Sequence, residues 1–171
     1  MEDFLSQIQA ALAARLYYVG LFAALGLPDI CAALESPTGE ASGTGYRAWF
    51  DEHVAPSYCV GTNRVPSFTG EDAYYFRCSF LHQARSQHPK STYMRILFVE
   101  PGTPGLLMHN NVINDALNID VEHFCRDVIL GVHSWLGGVT GTEPFESNYQ
   151  RMMKRYPDGL RPYITGVPVI S

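Results

Sequence analysis

The chain has 171 residues, the size of one domain, and is long enough to bury a core without disulfides or metals as staples. A hydrophobic fraction of 46% excludes intrinsic disorder, and a net charge of -5 gives no general support for polyanion binding. Met1, Glu2 and Asp3 lack the positive region of a secretory signal, and the apolar run Leu16 to Leu25 is too short for a bilayer. A soluble cytoplasmic protein with no membrane partner is therefore expected.

Apolar residues Phe4, Leu5, Ile8, Leu12, Leu16 and Val19 recur at helical spacing, which predicts a first helix stopped by Gly26 and Pro28. Asp29 then caps a short helix through Leu34, and a Ser/Thr/Gly-rich loop follows from Ser36 to Gly45. Tyr46, Trp49, Phe50, His53 and Val54 repeat as a further amphipathic helix. After a loop with two prolines, Thr69 is an N-cap with Asp72 three residues on, and a helix from Gly70 to about Arg85 is predicted.

Beyond Pro89 the texture changes. Tyr93 to Val99 reads as a strand, Pro101 to Gly105 as a turn, and Leu106 to His109 as the antiparallel return, a β-hairpin inserted at about 92–110. Asp120 opens a helix carrying Val121, Phe124, Cys125, Val128, Val132 and Trp135 on one face, closed by Gly137 and Gly138. A last helix covers roughly Pro144 to Tyr156, and the tail is extended. The expectation is one mainly α domain over 1–171, a bundle of about five helices with a small inserted hairpin. Cys31, Cys59, Cys78 and Cys125 contain no C-x-x-C pair, so they read as reduced thiols, with neither a zinc site nor another cofactor indicated.

From Ala73 to Val99 there is no Asp or Glu, while Arg77, Arg85, Lys90, Arg95, His82 and His88 all fall in that window. Such a run is often only a solvated face. Within it, the helix from Gly70 splits at about 100° per residue into a polar arc with Tyr75, Ser79 and His82 and an apolar arc with Ala73, Phe76, Phe80, Leu81 and Ala84. Arg77 falls in the apolar arc, where an unpaired charge is costly. Either it pairs with a carboxylate on a neighbouring helix or carries its head to solvent, or it serves a site together with His82.

That combination suits cleavage of a phosphodiester without metal. A histidine titrates near neutrality and can move the proton of a ribose 2′-hydroxyl, and a guanidinium stabilises the charge that gathers on the phosphorane. Ser79 can bind a phosphate oxygen or orient the imidazole, and Tyr75, Arg85 and Lys90 are placed to bind the substrate. Glu71 and Asp72 read as capping residues. His109 with Asn110 and Asn111 reads as a turn or cap, His123 and His133 have no metal-ligand spacing, and the basic residues Arg151, Lys154, Arg155 and Arg161 read as a solvated helix end.

The stretch Arg77-Cys78-Ser79-Phe80-Leu81-His82 resembles the R-x4-H motif of the HEPN (higher eukaryotes and prokaryotes nucleotide-binding) superfamily of helical bundles. The resemblance implies a metal-independent endoribonuclease, of the toxin or defence kind, with Arg77 and His82 as the catalytic pair. It also implies a homodimer whose two motifs line one RNA cleft, and a protein antitoxin or regulator as a further partner. Cys78 departs from the polar residue common after the Arg, and the hairpin departs from the family's bundle. Some members of that superfamily are inactive, so a non-enzymatic helical module that binds a nucleotide or a protein is the alternative.

Overall fold

The computed structural model describes residues 1–62, 64–102 and 107–171. Among these the chain is mainly helical, with six α-helices and three small sheets. The helices are α1 (Glu2–Ala13), α2 (Tyr17–Glu35), α3 (Gly43–His53), α4 (Gly70–Gln83), α5 (Val121–Val139) and α6 (Phe145–Gln150).

The first apolar repeat does not form one helix. Arg15 takes a left-handed conformation at φ 58°, which ends α1 and turns the chain into α2. Leu5, Ile8 and Ala11 of α1 are buried, whereas Leu16 and Val19 beyond the break are exposed. The apolar run also does not end at Leu25, because α2 continues through Gly26 and Pro28 for 19 residues. Pro28 costs a helical hydrogen bond, which burial of Leu25, Leu27, Pro28, Cys31 and Leu34 offsets. By length and composition α2 is apolar enough to cross a membrane, with 44% of its apolar window buried inside the protein. Asp29 consequently caps nothing; it sits inside α2.

Asn148 of α6 closes the far end of α2, its Nδ2 donating to the carbonyls of Leu34 at 3.0 Å and Ser36 at 2.8 Å. Trp135 of α5 donates its indole N–H to Glu35 Oε2 at 2.7 Å. The two Asn148 bonds satisfy carbonyls that a helix end leaves free. The last predicted helix stops at Gln150, and Arg155–Tyr156 instead pairs antiparallel with Val169–Ile170.

The strands depart from the expected hairpin. After the two-residue pair β1 (Cys59–Val60) and β2 (Val65–Pro66), the main sheet contains β3 (Arg95–Val99), β4 (Asn111–Ile113) and β5 (Ala116–Asp120) in the order β3-β5-β4. β3 lies parallel to β5, with Arg95 opposite Ala116 and Val99 opposite Asp120. The hairpin is β4-β5, closed by Asn114 and Asp115, both at positive φ as a two-residue turn requires. The expected return strand does not form over Leu107 to His109; the expected turn from Thr103 and the start of that strand at Leu106 lie outside the described residues. All five residues of β5 are buried, which explains why it takes the centre of the sheet.

Asp120 ends β5 and caps α5, its carboxylate accepting the His123 N–H at 2.9 Å. α5 runs past Gly137 and Gly138 to Val139. A row of aromatic rings crosses the core from α3 to α2: Phe50, Phe68, Phe124, Phe98, Phe76, Phe80 and Phe22, each ring centroid 4.4 to 6.1 Å from the next. Such tilted and edge-on pairs add to the burial that holds the layers together.

Candidate functional site

Thr69 opens α4 as its sequence predicts. Its hydroxyl oxygen accepts the Asp72 N–H at 3.2 Å and donates to Asp72 Oδ2 at 2.8 Å. Asp72 is only 1% exposed, and its Oδ1 accepts the Thr92 N–H at 2.8 Å. Capping is thus half of its role; the other half is to tie the segment after α4 back to the first turn. Gly70 lies so close to α3 that a Cβ there would come 2.3 Å from the Arg47 carbonyl oxygen, and its N–H donates to Asp51 Oδ1 at 2.6 Å. These contacts fix the start of α4, and with it the direction in which Arg77 points.

Arg77 reaches across to α2, where its Nη2 lies 2.5 Å from Asp29 Oδ2. Its Nη1 lies 3.4 Å from His82 Nε2 and 3.9 Å from the Cys78 sulfur. Both side chains of the ion pair are largely covered, and among the described residues Asp29 Oδ2 and Arg77 Nε are buried without an aligned hydrogen bond. The contact is therefore one of charge more than of directed hydrogen bonding. Burial raises the Asp29 carboxyl above its ordinary value, against the opposing pull of Arg77 and His82. Burial alone would lower Arg77, but Asp29 and the Cys78 sulfur outweigh it, and its pKa rises. The buried ring of Tyr46 forms the floor, its hydroxyl without a hydrogen-bond partner among the described residues and its pKa pushed well up by burial and then by Asp29.

His82 is exposed, two residues before Ala84 ends α4 in the left-handed region at φ 51°. Ala84 N–H donates to the Phe80 carbonyl at 3.0 Å, and Arg85 N–H to the Ser79 carbonyl at 3.1 Å. Ser79 itself is 2% exposed, and among the described residues its hydroxyl makes no hydrogen bond to Arg77 or His82. The helix face that looked evenly polar in the sequence is in fact turned partly inward at Ser79.

No family model, no curated protein and no solved structure matches this chain. The site has to be read from its own geometry.

The remaining predicted site residues form two other groups. Tyr75 stacks on His88 with ring centroids 4.5 Å apart, donates its hydroxyl to Glu71 Oε1 at 3.1 Å, and has Lys90 Nζ 5.8 Å from its ring. Arg85 is separate, at the mouth of a cleft between α2, α4 and β3.

A third cluster was not assembled from the sequence. Asp120 Oδ1 lies 2.9 Å from His123 Nδ1, and the His123 ring is 5.1 Å from that of His109. The carboxylate can only accept, so Nδ1 carries the proton and Nε2 is the basic nitrogen. Burial, with His123 beside it, lowers His109 below the ordinary histidine value, and burial raises the Asp127 carboxyl nearby. The Asp-x-x-His spacing at the start of α5 was visible, but His109 joins it only through the loop before β4. Two carboxylates flank these two histidines, so the cluster lacks the net positive charge that holds a phosphate. Among the described residues no group of three or more His, Cys, Asp or Glu side chains is arranged to hold a metal ion.

Proposed function

We propose that the protein is an endoribonuclease of HEPN type that cleaves RNA without metal, through Arg77 and His82. The observation that carries this reading is the 3.4 Å approach of Arg77 Nη1 to His82 Nε2 within a segment free of carboxylates. In the reaction the 2′-oxygen bonds to the adjacent phosphorus, the bond to the 5′-oxygen breaks, and the products are a 2′,3′-cyclic phosphate and a 5′-hydroxyl. His82 accepts the 2′-hydroxyl proton or donates one to the leaving oxygen. Arg77 binds the non-bridging oxygens, whose negative charge grows in the transition state.

Asp29 holds the guanidinium in place by its far nitrogen and leaves Nη1 directed at His82. Ser79, being buried, contributes through its carbonyl to the turn after His82 and not through its hydroxyl. Tyr75, Lys90 and Arg85 are assigned to binding the strand on either side. The same reading includes a cytoplasmic homodimer that brings two motifs to one cleft, a toxin or defence role, and a protein antitoxin or regulator.

Single-stranded RNA incubated in EDTA with the purified protein, beside Arg77→Ala and His82→Ala, tests the reading. Cleavage should fall by at least about 10²-fold in each variant. Equal cleavage by all three proteins, or none by the wild type, removes it.

The Arg77-Asp29 ion pair favours a second reading, a non-enzymatic helical module in which Arg77 is a structural cation that binds a nucleotide or protein partner. In that case Arg77→Ala lowers the melting temperature and His82→Ala changes nothing.

A further inference from the structure

We propose that two copies of this chain associate through the exposed face of α2, packed antiparallel so that Val19 of each copy meets Phe22 of the other. The association does not rest on the ribonuclease reading.

The face exists because the left-handed turn at Arg15 breaks the first apolar run. Leu5, Ile8 and Ala11 of α1 keep the buried part of that run, and the part beyond the turn is left open. Leu16 is 53%, Tyr18 73%, Val19 57% and Phe22 42% exposed. At about 100° per residue Val19, Phe22 and Gly26 fall within an arc of about 60°, with Leu16 and Ala23 on one side of it and Tyr18 on the other. Steps of three and then four residues are those of a seam between two helices. The four large side chains leave on the order of 500 Å² uncovered, toward the upper end of what one patch on a monomer shows. Two such faces together cover roughly 1,000 Å², the least that a specific interface buries.

The order of sizes along the face names the occupant. Its first half is large, at Leu16, Tyr18, Val19 and Phe22, and its second half is small, at Ala23 and Gly26. Among the described residues nothing lies within 4 Å of the position a Gly26 Cβ would take, so the second half is an open step. A two-fold axis between Gly20 and Leu21 sets Val19 against Phe22 at the centre, Leu16 against Ala23, and the Arg15 end against Gly26. Large then meets small at both ends. Parallel pairing would oppose Tyr18 to Tyr18 and leave a hole at Gly26.

Charge agrees with the antiparallel order. Arg15 is exposed and among the described residues forms no ion pair, although Glu100 lines the same depression. Asp29 follows Gly26 by three residues, about 4.5 Å along the axis. Burial keeps its carboxyl above the ordinary value even beside Arg77 and His82, so a further cation near it is favourable. The antiparallel order brings the Arg15 end of one copy to the Asp29 end of the other. A lipid surface would make no use of the step from large to small, nor of the acid beyond it. The two Asp29-Arg77 pairs stand about 25 Å apart along such a seam, so this contact is separate from the shared cleft of the ribonuclease reading.

Sedimentation equilibrium of the full chain at micromolar concentration tests the proposal. Wild type should be a dimer. Val19→Glu, at an exposed position, should weaken association at least tenfold while circular dichroism shows an unchanged fold. Gly26→Leu is the sharper variant, because it fills the open step with a better helix former. It should also weaken association with the fold intact, whereas a face that is merely sticky would associate more tightly with the added leucine. A monomeric wild type overturns the proposal, as does a dimer that neither variant weakens or that Gly26→Leu tightens. A monomer that co-floats with phosphatidylcholine vesicles, and ceases to in Val19→Glu, overturns it by assigning the face to lipid. Cleavage of RNA by the same proteins is scored separately: its absence removes the ribonuclease reading and leaves the α2 contact standing.

Discussion

The Asp29 carboxylate and the Arg77 guanidinium meet 2.5 Å apart, each carried by a different helix and each largely covered by protein. Removing either partner leaves a partly buried charge unanswered. Arg77→Ala or Asp29→Ala should each cost about 1–3 kcal/mol in denaturant unfolding. The double variant should cost less than the sum of the two, because no lone charge remains. Additive losses would show that the two groups do not interact in solution.

Ala84 ends α4 at φ 51°, a conformation that strains any residue with a Cβ. Glycine removes that strain, and the position lies outside the helix interior, so its flexibility costs little there. Ala84→Gly should raise stability by about 0.5–1 kcal/mol in urea titration. A loss of stability would mean that the left-handed turn does not persist in solution.

Asp72 holds two segments at once, through Thr69 and through the Thr92 N–H. Asp72→Ala should lower stability by about 1–3 kcal/mol. Hydrogen exchange should speed up at Thr92 as well as in the first turn of α4. Faster exchange in α4 alone would leave capping as its only role.

His109 is held below its ordinary value by burial and by the His123 ring. The unfolded chain thus takes up a proton at a higher pH than the folded one, so stability falls as pH drops through the ordinary histidine value toward the lowered one. Asp29 and Asp127 act in the opposite sense at more acidic pH. Their carboxyls are raised by burial, so the folded state protonates first, and their strain is relieved as pH falls through those raised values. His109→Gln should flatten the loss of stability between about pH 7 and pH 5, measured by thermal melts across that window. An unchanged slope would place the source of acid sensitivity elsewhere.

Local signals were legible where one helix settles its own fate. The apolar periodicity of α3 and α5, the Thr69 cap and the Asp120 cap all follow from neighbours in sequence. What the sequence hid depends on residues far apart in it. Pro28 is read as a stop because its missing N–H is a local cost, while the burial that outweighs it is collected from other helices. The parallel pairing of β3 with β5 is non-local, so in the sequence the apolar strand at Arg95–Val99 points to the nearest segment and not to its true partner.

The candidate site divides along the same line. The anomaly of Arg77 on an apolar arc is visible in the sequence, but its partner Asp29 reads there as a helix cap and so offers it no answer. Ser79 and His82 share a helix face by angle, yet the fold buries the first and exposes the second. The His109-His123 contact needs a loop and a helix start to meet, and neither carries a mark of the other.

The proline in α2 has one more effect. Its ring offers no hydrogen to the carbonyl of Ala24, so this rod lacks one rung between the exposed ring of Tyr18 and the carboxylate of Asp29. Those two residues stand about 16 Å apart along the axis, on either side of the place where a helix of this kind bends most easily. α2 therefore has its missing rung one residue from the carboxylate that holds Arg77.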